Sequence, residues 1–183
     1  MIFPRFRRNR QSATISALYG MIVAQARMPC FYREFGVADT VNGRFDLIVL
    51  HLSLLLNRLA QEPALHDLGQ EIFDRFCEDM DDNLREMGVG DLAVAKEMRR
   101  MGEAYYGRAQ AYREALATND QDELVDALKR NIYGGSPVAA AAAPRLAAYM
   151  RGALRVLEAQ GSADLAAGLL RFPDPTENLK YVE

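Results

Sequence analysis

Between Phe45 and Leu59 the chain is apolar on nearly every side of a helix. Phe45, Leu47, Ile48, Val49, Leu50, Leu52, Leu54, Leu55, Leu56 and Leu59 spread around almost the full circle at about 100° per residue. A helix with no polar face has to be surrounded by other elements. The run is interrupted by His51 and Ser53 and is shorter than the roughly 20 residues that cross a bilayer. The expectation is therefore a buried central helix, about Asn42 to Gln61, with a shell of helices packed around it. Asp46, Ser53 and Asn57 share one narrow stripe of this helix, and His51 and Arg58, seven residues apart, share another.

The shell is legible on both sides. Ser12 to Arg27 carries Ile15, Leu18, Tyr19, Ile22 and Val23 on one face and is stopped by Pro29. Cys30 to Thr40 reads as an ordered connection whose Phe31, Tyr32 and Phe35 pack inward. After Glu62-Pro63 a third long helix runs to about Met87, with Ile72, Phe73, Phe76, Met80, Leu84 and Met87 on its apolar face. Gly88 stands where a left-handed C′ residue belongs and Asp91 where an N-cap belongs, so Gly88-Val89-Gly90-Asp91 predicts a tight turn between antiparallel helices. The next helix, about Leu92 to Ala117, has Val94, Met98, Met101, Tyr105, Ala109, Tyr112 and Leu116 in one stripe. Gly102 and Gly107 lie in its interior; each weakens a helix by about 1 kcal/mol against Ala, and Gly102, nearer the stripe, suggests close approach of another backbone.

Asp120 and Glu123 have capping-box spacing for a short helix through Ile132. Gly134-Gly135-Ser136-Pro137 breaks the chain, with Ser136 as N-cap and Pro137 at the first position of an alanine-rich helix to about Gln160 that restarts near Pro144. Ser162 caps a last short helix to about Leu170. Apolar positions recur at three and four, not at two, and no fixed repeat is present. The fold class expected is all-α, a single-domain bundle of about six or seven helices. Residues 1–11 read as a basic flexible arm, 12–172 as the helical domain and 173–183 as a polar tail.

Half of the residues are apolar, 26% are charged, and the net charge is −3, a composition that collapses into a core. It supplies no global attraction to nucleic acid, which needs clustered Lys and Arg. The one basic cluster is Arg5, Arg7, Arg8 and Arg10, interleaved with Phe3 and Phe6. Such an arm suits an anionic membrane face, at about 1 kcal/mol per basic residue near the surface; RNA is the competing partner. Cys30 and Cys77 stand alone, without metal-ligand or disulfide spacing, which fits a reducing compartment. No secretory signal follows the arginines.

Catalytic signatures are missing. Neither His51 nor His66 follows a glutamate by three residues, as di-iron bundles require, and no nucleophile elbow, phosphate loop or dinucleotide glycine pattern occurs. His51 in a leucine-rich helix reads first as a hydrogen-bonded core residue. The acidic run Glu78-Asp79-Asp81-Asp82 is spread around its helix and reads as a solvated face. Arg108 falls beside the apolar stripe of its helix, where an unpaired guanidinium is costly; Asp79 or Glu86, across the tight turn, are the expected partners. No catalytic residue, metal or cofactor is expected.

Several strings resemble the ubiquinol-cytochrome c chaperone family. They are Gly43-Arg44-Phe45 with Leu50-His51 and Arg58-Leu59; Phe73-Asp74-Arg75-Phe76 with Asp79-Met80-Asp81; Leu84-Arg85-Glu86-Met87-Gly88-Val89-Gly90-Asp91; Lys96 with Met98; and Tyr105-Tyr106-Gly107-Arg108 with Tyr112. The Arg-Glu-Met-Gly-Val-Gly-Asp string is the most specific. The resemblance implies a non-enzymatic assembly factor of the cytochrome bc1 complex that binds newly made cytochrome b. By analogy, His51, Arg58, Asp79, Arg85, Glu86, Lys96, Tyr106 and Arg108 form the conspicuous polar set for partner binding, some of them as core clamps. The abundance of Arg and Ala looks bacterial, and the expected location is the cytoplasm, peripheral on the inner membrane. The alternatives are a cofactor-binding helical-bundle enzyme and a nucleic-acid adapter.

Overall fold

Every residue from Leu47 to Leu55 is buried in the computed structural model of the chain, so the central helix is enclosed as its sequence requires. The structure describes residues 3–118, 120–134, 136 and 140–177, with the side chains of 3–10 and 121 outside the description. The elements in order are α1 (Phe3–Ala26), α2 (Pro29–Arg33), α3 (Val41–Ala60), α4 (His66–Glu86, entered through a 3-10 turn at Pro63–Leu65), α5 (Asp91–Ala117), α6 (Gln121–Asn131), α7 (Ala143–Glu158) and α8 (Ser162–Ala166). No strand occurs among the described residues. Helix α3 packs against α1, α4, α5 and α7, and α6 bridges α5 to α7. Each fully buried Leu, Ile or Val of α3 contributes about 1.5–3 kcal/mol, which makes this helix the chief source of the bundle's cohesion. No helix among the described residues is long and apolar enough to cross a membrane.

Local chemistry sets the junctions. Thr40 Oγ1 accepts from Gly43 N at 3.1 Å and starts α3. A Cβ on Gly43 would overlap the carbonyl of Ala38, so only glycine lets the preceding loop close onto the helix. Between α4 and α5, Gly88 takes φ +80° while Val89 N bonds Leu84 O at 3.1 Å and Gly88 N bonds Arg85 O at 2.9 Å. These are the two bonds of a Schellman ending. The N-cap of α5 is Gly90, not Asp91 as expected. Asp91 sits inside the first turn, where its carboxylate favours the positive end of the helix dipole and pairs with Arg85 across the bend.

Other expectations shift by a turn or two. Helix α1 begins at Phe3 rather than near Ser12, since nothing between Pro4 and Ser12 breaks a helix. The connection after Pro29 includes the five-residue α2, whose Phe31 is buried together with Phe35. Asp120 caps α6 by accepting from Asp122 N at 2.8 Å, but Glu123 accepts from Thr118 Oγ1 at 3.0 Å. Helix α7 starts at Ala143 with Pro144 in its first turn; Pro137 lies outside the described residues. Gly102 has nothing within 4 Å of an added Cβ, so the expected close backbone approach is absent there. Met87, expected on the apolar face, is 56% exposed, because the Schellman turn carries it past the end of the α4 seam.

Three arginines tie helix ends together. Arg58 donates to Leu157 O at 3.2 Å and Gln160 O at 3.1 Å, where α7 ends. Arg151 donates to Thr118 O at 3.1 Å, Ala115 O at 3.3 Å and Asp120 O at 2.6 Å, where α5 ends. Arg145 donates to Glu34 O at 3.1 Å beyond α2. The last carbonyls of a helix have no partner within it and carry partial negative charge, and a guanidinium fork offers several donors in one plane.

Candidate recognition groove

Two aromatic side chains on α4 and two on α5 meet where these helices lean on α3. Phe73 and Tyr105 have ring centroids 4.9 Å apart, Phe73 and Tyr106 5.9 Å, Tyr105 and Tyr106 5.3 Å, and Phe73 and Phe76 6.0 Å. Phe45 of α3 extends the cluster to Phe76 at 6.2 Å. Aromatic pairs at these separations add about 0.5–1.5 kcal/mol each beyond the area they bury. The rings wall a groove of about 400 Å³ whose lining is Leu56, Leu59, Ala60, His66, Gly69, Gln70, Phe73, Tyr105 and Tyr106. None of these is Asp, Glu, Lys or Arg. Gly69 would place a Cβ 3.7 Å from both Leu56 and Leu59, so its missing side chain brings α4 close to α3 and keeps the floor clear.

The two tyrosines divide the work. Tyr105 is buried at 6% exposure and Tyr106 is 63% exposed at the rim. Burial pushes the Tyr105 hydroxyl up to about 12, so it stays neutral. His66, also in the lining, is tied through Nε2 to Ala60 O at 3.0 Å. An uncharged wall of aromatic rings over an aliphatic floor suits contact with an apolar partner segment.

The residues singled out from the sequence separate into interior and surface. His51 is fully buried, its Nδ1 2.7 Å from Leu47 O and its Nε2 2.8 Å from Tyr149 Oη. Burial lowers its pKa to about 4, keeping the ring neutral. Arg58 is buried and holds the end of α7, with a further bond to Glu62 at 3.0 Å. His51 and Arg58 do share a face, as their spacing implies, and that face is turned to α7. Asp79 accepts from the Tyr19 hydroxyl at 2.8 Å, joining α4 to α1. Arg85 pairs with Asp81 at 2.5 Å and with Asp91 beside the bend. Glu86 and Lys96 are exposed, near the 96% exposed Leu92. The side chains of Arg5, Arg7, Arg8 and Arg10 lie outside the described residues.

Arg108 is the clear correction. Its partner is neither Asp79 nor Glu86 but Asp46 of α3, with Arg108 Nη2 2.9 Å from Asp46 Oδ1. Helix α5 crosses α3 as well as running beside α4, so its arginine reaches a carboxylate on the central helix. Desolvation pushes the Asp46 carboxyl up to about 6 against the pull of Arg108. One acid within a helix apolar all round was the available signal: a carboxylate there demands a cation from a neighbour. The groove itself had no such signal, because it combines residues of three helices. Among the described residues no group of three or more His, Cys, Asp or Glu side chains is placed to hold a metal ion.

Comparison with known proteins adds to this geometry. The family profile described as "Ubiquinol-cytochrome C chaperone" matches residues 33–172. "Ubiquinol-cytochrome-c reductase complex assembly factor 1" of Xenopus laevis is 28% identical over 127 residues, 68% of this chain and 63% of that protein. The Mus musculus protein, "Ubiquinol-cytochrome c reductase complex assembly factor 1", is 26% identical over 149 residues, 81% of this chain and 50% of that protein. The chain thus spans between half and two thirds of these relatives. The crystal structure of the Cbp3 homolog from Brucella abortus superposes with a TM-score of 0.84 at 39% identity, over 97% of this chain and 99% of that one.

Proposed function

From the premise that the chain belongs to the ubiquinol-cytochrome C chaperone family, we propose that it assists assembly of the cytochrome bc1 complex by holding newly made cytochrome b. It acts by binding and carries out no chemical step. The observation that carries the reading is the uncharged aromatic groove with Tyr106 standing at its rim. A membrane subunit not yet inserted exposes apolar helices in water, and a pre-formed groove of Phe, Tyr and Leu covers such a segment while its own shape is fixed by α3. Met87 and Leu92, at the α4–α5 bend, are further exposed apolar side chains away from the groove. Rigid aromatic rings lose little conformational entropy on contact, and methionine adapts to irregular partners.

The chain works in the cytoplasm, beside the inner face of the membrane. Arg5, Arg7, Arg8 and Arg10 attract anionic lipid and keep the bundle where the client emerges. Cutting off residues 1–10 then lowers binding to anionic vesicles and leaves the bundle folded.

A photo-reactive amino acid at position 106, introduced in the native host, tests the client. Cytochrome b is the expected adduct, and Tyr106→Ala is expected to lower bc1 content. Normal bc1 content in a strain without the gene, together with no cytochrome b adduct from position 106, rejects the proposal.

A further inference from the structure

Asp46 and Arg108 join α3 to α5 through an interior ion pair that leaves polar atoms without partners. Arg108 Nη2 lies 2.9 Å from Asp46 Oδ1, yet Oδ1 has no donor in hydrogen-bonding alignment, and the buried Arg108 Nε and Tyr112 Oη have no partner either. Tyr112 is one helical turn beyond Arg108, on the same face of α5, and is 1% exposed. The rest of the guanidinium is held by Ala104 O at 3.3 Å and by the Phe45 ring, 5.9 Å away. Buried polar groups are ordinarily paired. A misaligned ion pair with two partnerless polar atoms beside it, Arg108 Nε and Tyr112 Oη, marks a cluster with a second arrangement in reach.

We propose that Asp46, Arg108 and Tyr112 form a proton-operated latch between α3 and α5. With the carboxylate ionised, Asp46 holds Arg108. Uptake of one proton from solvent forms an O–H bond on Asp46 and ends the ion pair. Arg108 then turns outward. The asymmetry of exposure sets this direction: the Arg108 side chain is 22% exposed and its long stem reaches water, whereas the Asp46 side chain is 9% exposed and cannot follow.

The charged group acting on Asp46 is Arg108, and burial outweighs it, so the carboxyl changes state near pH 6. Tyr112 faces the pair from α5, and Tyr133, beyond α6, faces Tyr112; Tyr133 is committed to Phe35 O at 2.8 Å. Arg44 and Asp39, at the start of α3, are exposed and paired with each other at 2.8 Å. The latch bears on the groove because Arg108 stands three residues after Tyr105. Releasing it loosens the part of α5 that supplies the groove wall.

Carbon-detected titration of the Asp46 carboxyl in the full chain, with the Arg108 Nε–H signal followed in the same sample, tests the latch. The expected result is a one-proton transition of Asp46 near pH 6. Arg108 Nε–H is expected to move toward its free-solvent position with the same midpoint. Amide exchange over 104–112 should be about tenfold faster in the protonated form, after correction for intrinsic rates. D46N should fix the released arrangement at all pH values. Titration of Asp46 at an ordinary carboxylate value near 4, or an Arg108 signal that stays constant through the Asp46 transition, overturns the proposal, and both are read on the unmodified chain.

Discussion

Tyr149 donates its hydroxyl hydrogen to Nε2 of His51 across 2.8 Å. Nδ1 lies 2.7 Å from Leu47 O, which accepts only, so the proton sits on Nδ1 and Nε2 is left as acceptor. The Tyr149 oxygen in turn accepts from Gln25 Nε2 at 3.0 Å, and the same amide nitrogen donates to Pro173 O at 3.0 Å. Phe172 closes over the imidazole edge-on, ring centroids 5.1 Å apart. One neutral ring thereby connects α3, α7, α1 and the C-terminal segment.

Tyr149→Phe keeps the ring and removes the link. It leaves His51 Nε2 buried without a donor and takes an acceptor from Gln25, a loss of about 1–3 kcal/mol. Urea denaturation measures it; a change under about 0.5 kcal/mol would show the network to be slack.

Acid should weaken the fold through His51. Its folded pKa of about 4 lies below the unfolded 6.5, so the unfolded chain takes up the proton first. The contribution is complete above pH 6.5 and is lost as pH falls to 4, at about 1.4 kcal/mol for each pH unit of that interval, or roughly 3 kcal/mol in all. Asp46 acts oppositely. Its folded pKa of about 6 exceeds the unfolded 3.8, so its contribution improves as pH falls through that window. The stability gap between wild type and His51→Gln isolates the histidine and should narrow steadily from pH 7 to 4.5.

Two glycine-to-alanine changes, one in the α4–α5 turn and one inside α5, should differ in sign. Gly88→Ala forces a side chain onto φ +80° and costs about 1–2 kcal/mol. Gly102→Ala fills open space inside α5 and gains up to about 1 kcal/mol from helix propensity. Thermal midpoints of the two variants decide it.

Tyr105→Ala and Tyr106→Ala separate structure from recognition. The buried Tyr105 costs about 3 kcal/mol or more on truncation. The exposed Tyr106 should change stability by no more than about 0.5 kcal/mol while lowering capture of the client. Denaturation and crosslinking on the same pair of variants make the comparison.

Arg58→Met tests the arginine that ends α7. It removes the donors to Leu157 O and Gln160 O while keeping an apolar stem, and should cost about 1.5–3 kcal/mol. Hydrogen exchange should rise first in the last turn of α7.

Much of this was legible beforehand, for reasons tied to particular residues. Gly88, Asp120 and Pro144 act through bonds and φ angles within a few residues of themselves, so their roles follow from local pattern. The interior of α3 followed from periodicity. Asp91 misled because acidic residues suit both the N-cap and the first turn, and the choice fell to Arg85 on the other side of the bend.

The order of residues determined which stretches are helical, where most of them end, and that Leu47 to Leu55 must be enclosed, because dihedral preference, capping and hydrophobic period act over one or two turns. Which helices meet was decided only in three dimensions. Arg108 finds Asp46 rather than Asp79, His51 finds Tyr149, and Leu56, Gly69, Phe73 and Tyr106 become one groove because ridges and grooves set how α4, α5 and α7 cross α3. A crossing angle depends on all the side chains at the contact at once, and no spacing along a single helix contains it.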